Sequence, residues 1–299
     1  MNIPHLGELS AFLCAVCWSV AVIAFRVAGD EIRSFHLTVF KTIAAALFFL
    51  LALGASRLVD ASWPWVPALS GRDWALLLAS AFFGITVGDV LFIMALKRLG
   101  AGLVAIVDCF YAPLTIVVAY LLFGETVPGT TLLGGGLVVS ALFIGSERTE
   151  GLSLAREKIV EGSVLALLST VVMVVAALMI RDIFRTHNVL WVVGFRFTAA
   201  ALMYGVWSLL RRDFHEVVRI RRLKSLRPLL LGSLLGPFLA TLFWFVGFKY
   251  TLAGNVAILT QLSTVFIFLL GAAVLGEPLT RRRVAAVALA VAGALVVQL

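Results

Sequence analysis

Apolar residues run along this chain in blocks of about 20, separated by short polar connections. A helix of that length crosses a hydrocarbon core about 30 Å thick. Ten such blocks are predicted: 8–27, 35–54, 73–96, 99–123, 129–145, 159–180, 189–210, 227–248, 251–275 and 282–298. Only 55–72, 146–158 and 211–226 are longer connections. Met1 to Ser10 holds no Lys or Arg, so the first block does not read as a cleaved leader and is expected to stay. The expected fold class is an all-α polytopic membrane protein.

The pattern is duplicated. The stretch 97-KRLGAGLVAIVDCFYAPLTIVVAYLLFGE-125 matches 249-KYTLAGNVAILTQLSTVFIFLLGAAVLGE-277 at a constant offset of 152, with identities from Lys97/Lys249 to Glu125/Glu277. Earlier in each half, 40-FKTIAAAL-47 matches 195-FRFTAAAL-202 at an offset of 155. The third block of each half carries small residues four apart: Ser80, Gly84 and Gly88, then Gly232, Gly236 and Ala240. Such rows let helix backbones approach closely in lipid. The chain therefore divides into a first five-helix repeat at 1–148 and a second at 157–299. Five is odd, so the second copy is expected to insert upside down, an arrangement that builds transporters with a site near the midplane.

Composition narrows the class. At 62% hydrophobic, 13% charged and a mean hydropathy of +1.08, the chain lies far from the usual soluble range of about 45–50% apolar and about 25% charged. The net charge of +8 sits in connections between apolar blocks, so it sets orientation and is not read as a nucleic-acid surface. On the side holding both termini (side A) lie Arg57, Arg72, Arg181, Arg185 and Lys249. The opposite side B carries 17 basic residues, seven of them in 211-RRDFHEVVRIRRLKSLR-227. The excess of Lys and Arg marks side B as cytoplasmic and places both termini outside. That basic loop reads either as an amphipathic helix on anionic headgroups or as a solvated connection. Three cysteines are too few for a disulfide framework. Cys14 and Cys17 stand in an apolar block without acidic or His partners, as apolar filler, and no metal or cofactor is expected.

Ionisable residues inside the blocks are the candidate chemistry, because each costs at least about 2.5–3.5 kcal/mol at the bilayer centre. At about 1.5 Å per residue, Lys41 lies about 9 Å, Asp89 about 10 Å and Asp108 about 14 Å in from side B. Three charges of one half thus share nearly one depth. Two buried acids push one carboxyl toward the protonated form, which suits proton coupling or an ammonium ligand. A fixed Lys–Asp brace is the plainer alternative. In the second half Asp89 and Asp108 are matched by Thr241 and Thr260, and Lys41 by Arg196. Arg196 would hold a carboxylate or snorkel to side A. Thr260, Gln261, Ser263 and Thr264 offer hydroxyls and an amide at the same depth. Trp18, Tyr111 and Trp244 read as pocket aromatics or as packing, and Pro113 as a kink beside Asp108. Glu125 and Glu277, each after a glycine, read as helix-end residues near the surface.

Two five-helix halves, each closing its fourth helix on Gly-Glu, resemble the drug/metabolite transporter superfamily and its EamA-like members. Trp18-Ser19 with Arg26 resembles the family's Trp-Gly and basic residue in helix one. Lys41 and Arg196 are similar to its basic residue opening helix two, and 95–125 to its Ala-Leu, Pro, Gly-Glu run; Val265 stands where the second copy would have proline. The resemblance implies a multi-pass protein of the bacterial inner membrane, an exporter or exchanger of amino acids or other small metabolites with a central cavity. Asp108 lies outside the family pattern. Expected partners are a small-molecule substrate and the lipid bilayer, with homodimer formation left open. A translocase of lipids or lipid-linked sugars is the alternative. An intramembrane enzyme finds no support: His5, His36, His187 and His215 fall at helix ends or in loops, and no Walker motif is present.

Overall fold

The computed structural model describes residues 5–29, 31–59, 66–108, 110–145 and 156–275, with eight scattered positions from 281 to 296. Among the described residues every regular element is helical. The long helices are α1 (Leu6–Ala28), α2 (Ser34–Val59), α4 (Gly88–Asp108), α7 (Arg156–Leu178) and α9 (Val189–Leu210). Shorter pieces are α3 (Gly71–Ser80), α5 (Tyr111–Phe123), α6 (Gly129–Gly145), α8 (Arg181–Thr186), α10 (Phe214–Arg219), α11 (Leu226–Ser233), α12 (Thr241–Tyr250), α13 (Ala253–Thr260) and α14 (Leu262–Leu275). Among the described residues seven helical stretches are long and apolar enough to span a membrane, including the composite rods 71–99 and 226–250. Large apolar side chains such as Leu51, Leu121 and Leu210 stand exposed on the outside, where hydrocarbon is their solvent. The expected last span, 282–298, lies outside the described residues except at isolated positions.

The expected boundary between the third and fourth spans is corrected. Helix α4 continues past residue 98 to Asp108, and the next helix starts at Tyr111. Residues 97–108 include no proline to break the ladder. Pro113 instead occupies the first turn of α5, where a missing N–H forfeits no helical bond. In the second copy the break comes earlier, at Thr251 and Leu252, whose backbone is extended. Gly124 closes α5 in the left-handed region (φ 63°), its N–H bonded to the Tyr120 carbonyl at 2.9 Å, as its sequence position predicted.

Each third span contains a π-helical segment, Ala81–Val87 between α3 and α4 and Leu234–Ala240 between α11 and α12. Pro237, which lacks an N–H, sits inside the second. In the first, the wider turn leaves carbonyls for outside donors. The Tyr204 hydroxyl bridges the carbonyls of Ile85 and Thr86 at 3.2 and 2.7 Å. Such segments concentrate at functional sites.

The two halves embrace. Helix α7 of the second half packs along the first π segment and α4, while α1 packs along α11, the second π segment and α12. Helices α2 and α9 pack on each other. The small-residue rows make these contacts possible. A Cβ on Gly84 would lie 2.9 Å from the Cβ of Ala176, and one on Gly236 would lie 2.8 Å from that of Ala21. The pairs are equivalent: Gly84 and Gly236 differ by 152, Ala21 and Ala176 by 155. Gly236→Val would force α1 off its seat, since the obstructing atom is the first carbon of a short side chain. Overpacking of this kind costs about 1–3 kcal/mol. A thermal-denaturation midpoint of the purified protein unchanged by Gly236→Val would contradict the close approach.

The basic loop folds back on the protein. Val217 and Ile220 are buried, while its seven Lys and Arg residues are exposed.

Candidate functional site

A cavity of about 180 Å³ lies between the halves, room for about six waters or one compact solute. Its wall combines α1, α2, both composite rods, α5, α7, α9, α13 and α14. Lining residues run from Cys14 and Arg196, near mid-depth, to Leu96 and Val104 beside side B. No lining residue comes from the ends of the helices on side A. Beyond Trp244, which lines the cavity, Phe184, Phe245 and Phe248 continue an aromatic cluster toward side A, packed edge to face or tilted with centroids 4.9–5.2 Å apart at the closest contacts.

The structure gathers the sequence candidates. Trp18, Lys41, Asp89, Tyr111, Arg196, Trp244, Thr260, Gln261 and Thr264 all line this cavity. Asp108 ends α4, but its side chain lies outside the described residues.

Lys41 comes from α2 and Asp89 from the start of α4. The lysine ammonium and the Asp89 carboxylate form a buried ion pair, with side chains 3% and 8% exposed. Lys41 also lies over the Phe25 ring, 5.9 Å from its centroid. The pairing is forced: in a low-dielectric interior either charge alone would cost several kcal/mol.

Arg196 does not snorkel. It is 3% exposed and turns inward. Its Nη2 donates to the Ser80 carbonyl at 3.3 Å, and its guanidinium carbon lies 4.9 Å from the Phe245 ring centroid. Its Nε, also buried, has no hydrogen-bond partner. A Cβ on Gly84 would lie 3.0 Å from Nη2, so a side chain there would push the guanidinium from its present place.

The aromatic pair bridges the halves. Trp244 Nε1 donates to the Tyr111 hydroxyl at 2.8 Å, and Trp18 tilts against Phe92 with centroids 5.6 Å apart. Thr260 spends its hydroxyl on the carbonyls of Val256 and Ala257, at 2.8 and 3.0 Å.

Sequence reasoning missed Ser169, Thr170 and Thr241 as lining residues. Ser169 donates to the Gly88 carbonyl at 2.8 Å and ties α7 to α4. Hydroxyls in mid-span were the available signal. It also misplaced two charges. Glu125, read as a surface boundary residue, is buried and pairs with Arg181 at 2.8 Å. Arg181, read as a connection charge, is buried as well and lies 4.4 Å from the Phe123 ring centroid. The other Glu125 oxygen accepts from the Ala253 N–H at 2.8 Å, at the start of α13. A carboxylate is stabilised at a helix N-terminus by the exposed N–H groups and the dipole. Short α8 folds back after α7 and carries Arg181 inward, which residue spacing does not reveal. Glu277 lies outside the described residues.

The fold and the family can be compared with known proteins. A solved structure titled only "Crystal structure of protein" superimposes with a TM-score of 0.73 over 98% of each chain, at 19% identity; at that identity the likeness speaks for the fold alone. None of the curated proteins compared with the chain matches it. The model of the EamA-like transporter family matches residues 5–146 and again 160–299, one match to each half of the repeat that the residue identities define. A multi-pass membrane protein built as this duplication, with its cavity at the seam, belongs to the EamA-like transporter family.

Proposed function

We propose that the chain is a secondary transporter of the bacterial inner membrane, an exporter or exchanger of small polar metabolites such as amino acids, working by alternating access. The observation that carries this reading is the cavity at the seam. It holds a buried ion pair from one half and an incompletely bonded guanidinium from the other. Ionisable groups placed so deep are costly and mark a solute path by default. Access in this conformation favours side B, since the side A end is closed by aromatic packing and by the Glu125–Arg181 pair. The close Gly84–Ala176 and Gly236–Ala21 contacts give the halves smooth surfaces on which to rock.

Asp89 is neutralised by Lys41, so within this reading Asp108 is the acid left to carry a proton. Purified protein in proteoliposomes should show counterflow with a metabolite panel. Asp108→Asn should abolish uptake driven by a pH gradient while sparing exchange. Flat counterflow across amino acids, nucleosides, sugars and amines counts against transport of metabolites. Driven uptake unchanged in Asp108→Asn removes that acid from the mechanism.

A further inference from the structure

Comparing the two copies at the cavity exposes a missing partner. In the first half the cation of the second helix, Lys41, is matched by an acid on the third span, Asp89, and the two pair. In the second half the matching cation is Arg196, and the residue matching Asp89 is Thr241. Both line the cavity. The cation was kept and its acid was not.

Arg196 shows the consequence. It is buried, and its hydrogen bonding among the described residues is the 3.3 Å contact to the Ser80 carbonyl, with Nε unpartnered. Among the described residues Thr241 donates a single long bond, 3.4 Å to the Gly236 carbonyl, so its hydroxyl is readily turned to another acceptor. The acid whose charge reaches Arg196 is Asp89, which Lys41 already engages; a buried cation without a counterion of its own is costly. A guanidinium fork presents parallel N–H donors that fit a planar carboxylate.

We infer that the substrate supplies the absent acid: a compact monocarboxylate whose carboxylate occupies, between Arg196 and Thr241, the place that Asp89 takes beside Lys41. The rest of the molecule then lies toward Trp18, Phe92 and Trp244, an apolar and aromatic wall, so a body with an apolar portion is favoured over a fully polar one. The inference rests on the transport reading for its biological sense, and narrows the substrate of that same cavity. The binding chemistry stands on the Arg196 environment.

The test uses three probes with one apolar body: phenylacetate, phenylacetamide and phenethylamine. Each is titrated calorimetrically into the full-length detergent-solubilised protein. Phenylacetate should bind at least about tenfold more tightly than the amide or the amine, the scale of a charge-assisted pair. Arg196→Gln should erase that preference and Arg196→Lys should retain part of it. Thr241→Asp, which restores an acid at the cavity position matching Asp89, should also erase it, and carries the test if Arg196→Gln fails to fold. No carboxylate preference in the wild type, or an intact preference in Thr241→Asp, overturns the inference. Counterflow of other solutes without carboxylate preference sinks this subsite alone. Carboxylate preference without any counterflow sinks the transport reading alone.

Discussion

Asp89→Asn destabilises the purified protein by about 3–5 kcal/mol, the range for removing one partner of a buried ion pair. The substitution keeps the shape of the side chain and deletes its charge. Lys41, 3% exposed, then stands in the interior as an uncompensated ammonium or loses its proton. The double variant Lys41→Met, Asp89→Leu should recover most of the loss, because a well-packed apolar pair replaces a buried ionic one at little net cost. Chemical denaturation in one detergent across the three proteins measures both effects. A single variant as stable as the wild type would show that water or another charge already serves Lys41. The double variant also separates bracing from transport. If it folds but loses counterflow, the pair acts on the solute path beyond holding α2 to α4.

Glu125→Gln has the second large effect, and it acts at the far end of the molecule. Glu125 joins three elements: Arg181 of α8, the start of α13 through the Ala253 N–H, and its own helix α5 through Gly124. Neutralising it leaves Arg181 buried, 7% exposed, with the Phe123 ring as its remaining partner. A loss of about 3–5 kcal/mol is expected on the same ground. Because the contact ties the first half to the second on side A, the variant should also admit water there. A cysteine introduced at Phe184, behind the pair, should label from side A faster in Glu125→Gln than in Glu125. Equal labelling rates would assign the pair to stability alone.

Much of this site was legible in the sequence because membrane interiors make polar residues conspicuous. Lys41 and Asp89 stand out by cost alone, and their depths from the helix ends place them together; Arg196 stands out as the second-half counterpart of Lys41. The duplication supplied the rest: Thr260, Gln261 and Thr264 drew notice only as counterparts of the region around Asp108. What failed has equally physical causes. The end of α4 could not be read because Lys97 and Arg98, inside the helix, imitate a boundary, while Asp108 at its end reads as an acid within a span. The pairing of Glu125 with Arg181 joins residues from different halves, and no periodicity encodes it. Arg181 reads as a connection charge because a short helix after a span looks, in sequence, like a loop. Ser169 and Thr170 were passed over because hydroxyls in spanning helices commonly bond their own backbone; Thr170 does so, to the Ala166 carbonyl at 3.0 Å, and still faces the cavity.

The exchange of first helices between halves bears on biogenesis. Because α1 has its seat on α11, α12 and the segment between them, and α7 has its seat on α4, neither half of the chain is furnished with its own complete neighbourhood. During synthesis the leading five segments must wait in the bilayer, with the groove beside α4 vacant, until α7 arrives to fill it, and α1 waits longer still. A gene fragment ending before residue 156 would thus encode an unfinished surface that invites filling by another copy's α1, the counterpart of α7, the same reciprocal clasp by which two separate single-repeat chains would assemble.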